Sequence, residues 1–204
     1  MSDIEHHWQK IYQTKDPVEV SWFEEVPHTS LEVIERYAHR NSSIIDVGAG
    51  ASSLVDHLIA SGFIDVTVLD VSDAALANTR NRLESSVIQP TFVTADVTNW
   101  EPSRTYDLWH DRAVFHFMTD ESMRHQYTVA MTAAVRPGGV AVVATFADDG
   151  PEQCSGLTVE RHSEKTLAAE FEEGFSLIES WRSSHITPWG SEQRFVWVVF
   201  RRRN

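Results

Sequence analysis

The sequence predicts an α/β protein with a doubly wound, mainly parallel sheet of seven strands. Short apolar runs alternate with amphipathic segments from residue 43 to residue 146, and this order of elements builds a parallel sheet. A turn that contains two glycines follows the first strand. Two further apolar runs close the chain, and their spacing predicts an antiparallel hairpin that ends in an antiparallel last strand.

The first strand and its turn lie in the segment SIIDVGAGASS, residues 43–53, where Asp46 precedes the turn. Gly48 and Gly50 lack a Cβ atom, so the main chain can turn sharply and approach a ligand closely. The third glycine of a dinucleotide fingerprint would fall at position 53, where the chain has Ser53. The segment is therefore compatible with a nucleotide at a helix N-terminus, and also with a tight turn that binds nothing.

The composition excludes several classes of protein. The 204 residues include 17 Lys and Arg and 30 Asp and Glu. The resulting net charge of −13 argues against a surface that binds nucleic acid. The single cysteine, Cys154, excludes an internal disulfide and a Cys-rich zinc site, and it fits a reducing cytoplasm. No apolar run has the length of a membrane span, and the N-terminus shows no signal peptide. We expect a cytoplasmic protein of one structural domain, with no nucleic-acid or membrane partner.

The N-terminal part of the chain differs from the rest. Residues 3–12 are predicted to form a short helix, and residues 16–27 an extended segment. Thr29 and Glu32 have the spacing of a capping box at the start of a helix of about ten residues. The expected boundaries are residues 1–40 for an N-terminal helical lid or extension and residues 41–204 for the doubly wound domain.

The remaining elements follow from apolar periodicity and from turn residues. Gly62 is predicted to follow the helix that leaves the glycine turn, and Ser72 to cap the next helix. Arg136–Gly139 predicts a sharp turn before an almost wholly apolar fifth strand. The predicted later strands are 66–70, 91–95, 106–111, 140–146, 175–185 and 195–200, and the predicted later helices include 121–135 and 164–171.

Aspartates stand at or near the ends of four successive predicted strands, at positions 46, 70, 96 and 107 to 111. The carboxyl ends of parallel strands meet at one edge of a sheet, so these acids are expected to lie close together. Asp70 lies 24 positions after Asp46, where a carboxylate can accept hydrogen bonds from both hydroxyls of a ribose. A single aspartate at a strand end is common, but the set together with the glycine turn favours a nucleoside ligand.

With these acids the sequence resembles the class I S-adenosylmethionine-dependent methyltransferases. The resemblance extends over about residues 43–146, and the closing hairpin suits the last two strands of that family. It implies a Rossmann-like fold and S-adenosylmethionine as cofactor, although the third glycine of the family's first motif is replaced by Ser52. The residues that carry the resemblance are Asp46-Val47-Gly48-Ala49-Gly50, Asp70-Val71-Ser72, Asp96-Val97, Tyr106-Asp107-Leu108 and Arg136-Pro137-Gly138-Gly139.

The resemblance also implies roles for these residues. Gly48–Gly50 would pass under the methionine part of the cofactor, and Asp70 would hold the ribose. Asp96 would accept a hydrogen bond from the adenine amino group, and the Val97 N–H would donate to a ring nitrogen. The residues after the fourth strand would lie near the transferred methyl group. The implied cofactor-binding residues in these motifs are Asp46, Gly48, Ala49, Gly50, Asp70, Val71, Asp96, Val97, Asp111 and Arg112.

The N-terminal segment points to a narrower group. This segment looks like that of small bacterial methyltransferases of uncertain substrate, through the pattern Trp8, Tyr12, Lys15-Asp16-Pro17 and Ser21-Trp22-Phe23, followed by Pro27 and Ser30-Leu31. It is also distantly similar to the thiopurine, tellurite and citrate synthase lysine methyltransferases. In such enzymes the N-terminal segment folds over the cofactor, which implies that Trp22 is a lid or wall of the cofactor site. A core aromatic is the alternative reading for this tryptophan.

Candidate catalytic residues cluster after the fourth strand. Because the methyl group of a sulfonium is already activated, a protein must exclude water, align the acceptor and, where needed, remove a proton. His110, Asp111 and His116 are the candidates, since a histidine can act as a base near neutral pH. Arg112 can hold a carboxylate or pair with Asp111, and His185 is a further candidate. The alternative for His116 is a buried structural role, and the spacing predicts no metal site.

Four functions remain open on the sequence. The first is methyl transfer to a small molecule, with a thiol or metalloid as a possible acceptor, since the chain is compact and has an aromatic N-terminus. The second is methyl transfer to a protein lysine, because an acidic surface suits a basic target. The third is a nicotinamide-dependent oxidoreductase, which Asp70 fits equally well but Ser53 does not. The fourth is a cofactor sensor without catalytic activity.

Overall fold

The computed structural model describes residues 3–204 and shows helices on both faces of one large sheet. Every long strand and helix predicted from the sequence is present, with bounds that differ by a few residues. The helices are α1 (Asp3–Thr14), α2 (His28–Tyr37), α3 (Leu54–Ala60), α4 (Asp73–Arg82), α5 (Glu121–Ala134) and α6 (Glu164–Ala169). The strands are β1 (Ser43–Val47), β2 (Asp65–Asp70), β3 (Thr91–Thr94), β4 (Tyr106–Arg112), β5 (Val135–Phe146), β6 (Gln153–Cys154), β7 (Leu157–Thr158), β8 (Phe175–Ile186) and β9 (Glu192–Arg202).

The order of strands confirms the predicted topology. The seven-stranded sheet has the order β3-β2-β1-β4-β5-β9-β8, and the pairs among β1 to β5 are all parallel. The last strand, β9, is antiparallel to both β5 and β8 and lies between them. The chain leaves β1 toward β2 and β3, then returns to the other side of β1 with β4. This reversal creates a crevice at the carboxyl ends of β1 and β4, where α/β proteins bind ligands.

Two apolar layers, one on each face of the sheet, hold the fold together. On one face, Ile34 of α2 and Leu58 of α3 pack against Ile44 and other strand residues. On the opposite face, Tyr127 of α5 packs with Trp109 of β4, and the indole Nε1 of Trp109 donates to the Tyr127 hydroxyl over 3.0 Å. Both layers are formed by alternate residues of the same strands, so the sheet is covered on both sides and its carboxyl edge is fixed.

Two local predictions are wrong. Helix α2 begins at His28 with Pro27 as its N-cap, and no side chain caps it, so Thr29 lies inside the helix and forms no capping box. The helix starts early because the Pro27 carbonyl accepts the first helical hydrogen bond, from the Leu31 N–H. The segment Arg136–Gly139 is part of β5 and not a turn. Its pairing with β4 shifts register between Tyr106 and Leu108, so the glycines accommodate an irregularity within a continuous strand.

A small hairpin interrupts the loop after β5. Strands β6 and β7 pair antiparallel through Gln153↔Thr158 and Cys154↔Leu157, a feature that the polar sequence of this loop does not predict. The hairpin buries the Cys154 side chain, which is 5% exposed. No helix among residues 3–204 combines the length and the apolar character that crossing a membrane requires.

Candidate active site

A cavity lies beyond the carboxyl ends of β1, β2 and β4, with helix α1 as its roof. It is lined by the last residues of these strands and by the segment that follows β4. The strand ends bring together acids that are distant in sequence, as the topology predicts. The cavity residues are Ile4, Trp8, Tyr12, Trp22, Val47, Gly48, Leu69, Asp70, Val71, Ala95, Asp96, Val97, Arg112, Ala113, Val114, Phe117, Met118, Met123 and Cys154.

The turn after β1 requires its two glycines. Gly48 and Gly50 have φ angles of +63° and +55°, a region that side chains with a Cβ atom disfavour. A Cβ atom on Gly48 would lie 1.9 Å from Cγ2 of Val114, and one on Gly50 would lie 2.3 Å from the Tyr12 hydroxyl. The turn is therefore closely covered by the segment after β4 and by the lid helix, and any side chain at position 48 would intrude on the cavity wall.

Asp70 is the most strongly positioned acid of the cavity. Its carboxylate accepts hydrogen bonds of 2.8 Å from the Gly50 N–H and 2.8 Å from the Ser72 N–H. Burial raises its pKa to about 6, although these backbone hydrogen bonds act in the opposite direction. An acid held this way at the end of β2 presents its remaining lone pairs to the cavity, where hydroxyl donors of a ligand can bind.

Asp96 follows β3 on the same edge of the sheet. Its Oδ1 accepts hydrogen bonds from the Thr98 N–H over 2.9 Å and the Thr98 hydroxyl over 2.7 Å. Within residues 3–204 no donor contacts the other oxygen of this half-buried carboxylate. Val71 and Val97 line the cavity next to the two acids. This end of the cavity thus combines carboxylate acceptors with apolar side chains, which suits a nucleoside.

Asp46 and His110 form a buried chain with Ser30. The imidazole Nδ1 of His110 lies 2.7 Å from Oδ1 of Asp46, and Nε2 lies 3.0 Å from Oγ of Ser30. All three side chains are buried and line a second cavity next to the first, as Ala49 does. Direct register between Asp46 and His110 across β1 and β4 accounts for their contact. No local signal in the sequence indicates that Ser30 contacts His110, since Ser30 lies on a separate helix.

Asp111 and His116 lie outside both cavities. The Asp111 carboxylate accepts from the Val114 and Phe115 N–H groups and from the Tyr127 hydroxyl at 2.5 Å, so it orders the segment after β4. Burial raises its pKa to about 6. His116 is fully buried, its two ring nitrogens have no partner among the described residues, and burial lowers its pKa to about 3. These positions favour structural roles for both side chains.

Arg112 lies between the two cavities. Its Nη1 donates to the Trp22 carbonyl over 3.2 Å, and its Nη2 lies 3.3 Å from Oε1 of Glu24. The ion pair with Glu24 lacks hydrogen-bond geometry, so this buried Nη2 has no hydrogen-bond partner within residues 3–204. The pairing is with Glu24 and not with Asp111. His185 contacts the same segment, through Ser21 O at 2.7 Å and Glu24 at 3.2 Å, so it helps to hold the wall that contains Trp22.

An aromatic cluster forms the roof of the first cavity. Trp8 has its ring centroid 5.6 Å from that of Trp22 and 5.3 Å from that of Phe117, in edge-to-face arrangements. Tyr12 lies 6.3 Å from both tryptophans by the same measure. The site role of Phe117 and Cys154 was not identified from the sequence. Two signals pointed to the contribution of α1, namely the helical spacing of Ile4, Trp8 and Tyr12 and the resemblance that implies an N-terminal segment folded over the cofactor.

Comparison with known proteins is consistent with this geometry. Residues 44–139 match the family described as "Methyltransferase domain", and this segment contains the glycine turn and the strand-end acids. The matched segment, just under half of the 204-residue chain, is similar to a methyltransferase domain. The resemblance to class I methyltransferases is thereby confirmed, and so is the Rossmann-like fold class.

Two solved structures have a fold similar to that of this chain over nearly its whole length. One comes from work titled "Conversion of a Disulfide Bond into a Thioacetal Group during Echinomycin Biosynthesis" (TM-score 0.77, 20% identity, 98% of this chain and 92% of that chain). The other is the N-methyltransferase NodS from Bradyrhizobium japonicum WM9 in complex with S-adenosyl-L-homocysteine (TM-score 0.76, 17% identity, 100% of both chains).

A curated relative shares part of the sequence. The "eEF1A lysine and N-terminal methyltransferase" of Mus musculus is 24% identical over 117 residues, which are 56% of this chain and 17% of that protein. This chain therefore matches less than a fifth of that relative's length.

Proposed function

We propose that this protein transfers a methyl group from S-adenosylmethionine to a small molecule. The observation that supports the proposal most is the position of Asp70, which the Gly50 and Ser72 N–H groups hold at the edge of the main cavity. The family match and the resemblance of the fold to a structure that contains S-adenosyl-L-homocysteine support the same cofactor. That cofactor supplies an electrophilic methyl group on a sulfonium.

The residues around the cavity fit this cofactor. Asp70 would hold the ribose hydroxyls, while Asp96 and the Val97 N–H would hold the adenine. The main chain at Gly48 would pass beneath the methionine part. The buried Nη2 of Arg112 has no hydrogen-bond partner in the described part of the chain, and it would bind the carboxylate of that part. Its unsatisfied donor is an independent sign that an anionic ligand group belongs here.

The chain itself would exclude water and align the acceptor. The aromatic roof covers the cavity, and a dry site strengthens the electrostatic interactions within it. Of the three catalytic candidates, we retain His110, since Asp46 fixes its orientation and its ring lines the second cavity. Asp111 would act by ordering the segment after β4, as its three hydrogen bonds indicate.

The segments that cover the cavity favour a small acceptor. Helix α1 and the Trp22 segment cover it, whereas a protein lysine must reach the methyl group from outside. A cytoplasmic location is proposed with this function, because the lone Cys154 is a free thiol. Methyl transfer to a protein lysine is the second candidate, which the likeness to the eEF1A lysine and N-terminal methyltransferase favours. Radiolabelled methyl transfer into a cell lysate separates the two, because label in a protein band would reject the small acceptor.

The proposed cofactor is tested directly by calorimetry. We expect S-adenosylhomocysteine to bind the purified protein with a dissociation constant of about 100 μM or lower, since a pocket of this kind buries most of its ligand. NADH should give no fluorescence enhancement in the same buffer. If NADH binds and S-adenosylhomocysteine does not, the oxidoreductase reading replaces the proposal.

Residues 1–40 are proposed as a lid, and Gln9 is the residue that would dock it. No residue of α1 is fully buried, and the helix is held by the aromatic contacts of Trp8 and Tyr12 and by Gln9. The Gln9 Oε1 accepts hydrogen bonds from the Ser72 hydroxyl over 2.9 Å and from the Ala74 N–H over 3.2 Å, at the start of α4. The N–H of the same Ser72 donates to Asp70, so lid docking and the cofactor-binding acid share one residue.

We expect Gln9→Ala to weaken S-adenosylhomocysteine binding about tenfold, because it removes two hydrogen bonds that hold the lid. The same change should speed cleavage within residues 3–14 in limited proteolysis. Gln9→Glu keeps an acceptor oxygen and should restore both properties, whereas Gln13→Ala, on the exposed side of the same helix, should change neither. Equal affinity in Gln9→Ala and the unmodified protein would show that α1 is not a lid.

A further inference from the structure

We propose, on the basis of the proposed function, that the acceptor is an uncharged and largely apolar molecule held against Trp8, Trp22 and Phe117. These three side chains are called the aromatic wall below. All three line the main cavity and remain partly exposed, so each keeps ring surface available within it. Trp8 is the central member, because it contacts both other rings edge to face.

The wall and the strand-end acids come from different parts of the chain. It consists of one residue of the lid helix, one of the extended N-terminal segment and one of the segment after β4. Asp70 and Asp96 lie at the ends of β2 and β3, where the nucleoside would take up their remaining acceptor capacity. The surface left for an acceptor is therefore aromatic and aliphatic, and it is extended by Ile4.

The ionisable groups next to the wall are already paired or are held neutral. Arg112 pairs with Glu24, and Glu24 is also in contact with His185. The Cys154 thiol lines the cavity, and burial raises its pKa to about 12, so it is uncharged at neutral pH. The Tyr12 phenol is neutral for the same reason, since burial and the nearby Asp70 raise its pKa well above the ordinary value.

A charged acceptor would lose its hydration here without gaining a counterion. Glu24 lines the second cavity and not the main one, and its Oε1 is already paired with Arg112 and His185. The Nη2 of Arg112, which is ion-paired with Glu24 but forms no hydrogen bond within residues 3–204, is reserved for the carboxylate of the cofactor under the proposed function. Burying an unpaired charge costs several kcal/mol, and this cost would reject charged acceptors that have the right shape. An apolar ring, in contrast, gains contact area with the wall.

The test compares three ligands of one shape on the protein loaded with S-adenosylhomocysteine. The first is phenylmethanethiol, the second carries a para carboxylate, and the third a para aminomethyl group. Calorimetry measures all three dissociation constants, so the result does not depend on which atom is methylated. We expect the uncharged thiol to bind at least about tenfold more tightly than either charged analogue, because of the desolvation cost. Equal or tighter binding of a charged analogue would overturn the inference.

Variants locate the effect at the wall. Trp8→Ala should weaken phenylmethanethiol binding about tenfold, whereas Trp8→Phe should retain most of it, since a ring is kept. Trp189→Ala removes a tryptophan that is 60% exposed at the tip of the β8–β9 hairpin, and it should have no effect. Unchanged affinity in Trp8→Ala would refute the assignment. Failure of S-adenosylhomocysteine to bind in the loading step would instead count against the proposed function.

Discussion

Replacing Asp70 with asparagine should weaken S-adenosylhomocysteine binding by about 100-fold or more, because each lost hydrogen bond to a charged group contributes about 1.5–3 kcal/mol. The amide has only one oxygen, and its NH₂ group would face the Gly50 or Ser72 N–H, each now 2.8 Å from a carboxylate oxygen. The variant therefore disturbs the glycine turn and removes the acceptor for the ribose. Calorimetry on both proteins measures the difference.

The same variant should abolish the pH dependence of binding. Burial raises the pKa of Asp70 from 3.8 to about 6, while ribose hydroxyls would donate to the ionised carboxylate. Ligand affinity should therefore fall as the pH drops below about 6, with up to one proton taken up on release. In the unliganded protein, the free energy of unfolding depends on pH in the opposite direction to ligand affinity. The raised pKa favours the folded state at low pH, and this contribution is lost as the pH rises through about 6.

A neighbouring acid provides the control for Asp70. Asp73 stands in the first turn of α4, is exposed, and accepts a hydrogen bond from the Thr94 hydroxyl. Asp73→Asn makes the same chemical change three positions away, and it should leave both the affinity and its pH profile unchanged. If Asp70→Asn retains affinity within about threefold, a difference worth under 1 kcal/mol, Asp70 does not hold the ligand.

The strand-end acids were predictable because the reasons for their position are local. Parallel strands place their carboxyl ends on one edge, so the sequence order of Asp46, Asp70 and Asp96 was enough to bring them together. The contact between Asp46 and His110 depends in the same way on strand pairing, since the two residues are in register across β1 and β4. The order of the acids in the sequence did not show which of them faces the cavity and which is bound by another side chain. Asp46 is occupied by His110, whereas Asp70 faces the cavity.

The N-terminal half of the site was not predictable from periodicity. Glu24 meets His185 across 161 positions, and Ser30 meets His110 across 80. Such contacts depend on how the extended segment folds back over the sheet, and no local signal determines that path. The role of Trp8 depends on the same path. The sequence identified a helix with aromatic residues on one side, but only the fold shows that this side covers the cavity.

Gly48→Ala should be the second most damaging change. It should reduce S-adenosylhomocysteine binding about 100-fold, because a shift of the turn by up to about 1 Å misplaces the ligand. The residue has a φ angle of +63°, and an added Cβ atom would lie 1.9 Å from Cγ2 of Val114. Val114 cannot yield freely, because its N–H donates to the buried Asp111 carboxylate over 2.8 Å. The turn must therefore shift toward the ligand, or the segment after β4 must be displaced.

A second glycine separates this clash from backbone strain. Gly190 has a φ angle of +86°, and an added Cβ atom would meet nothing within 4 Å. Gly190→Ala should lower the free energy of unfolding by about 1–2 kcal/mol, the cost of left-handed backbone alone, and leave binding unchanged. Gly48→Ala should cost about 1–3 kcal/mol more than that, as overpacking does. Urea denaturation measures the free energy of unfolding, and calorimetry measures the affinity for S-adenosylhomocysteine. If the two variants behave alike in both, close contact between the turn and Val114 does not shape the site.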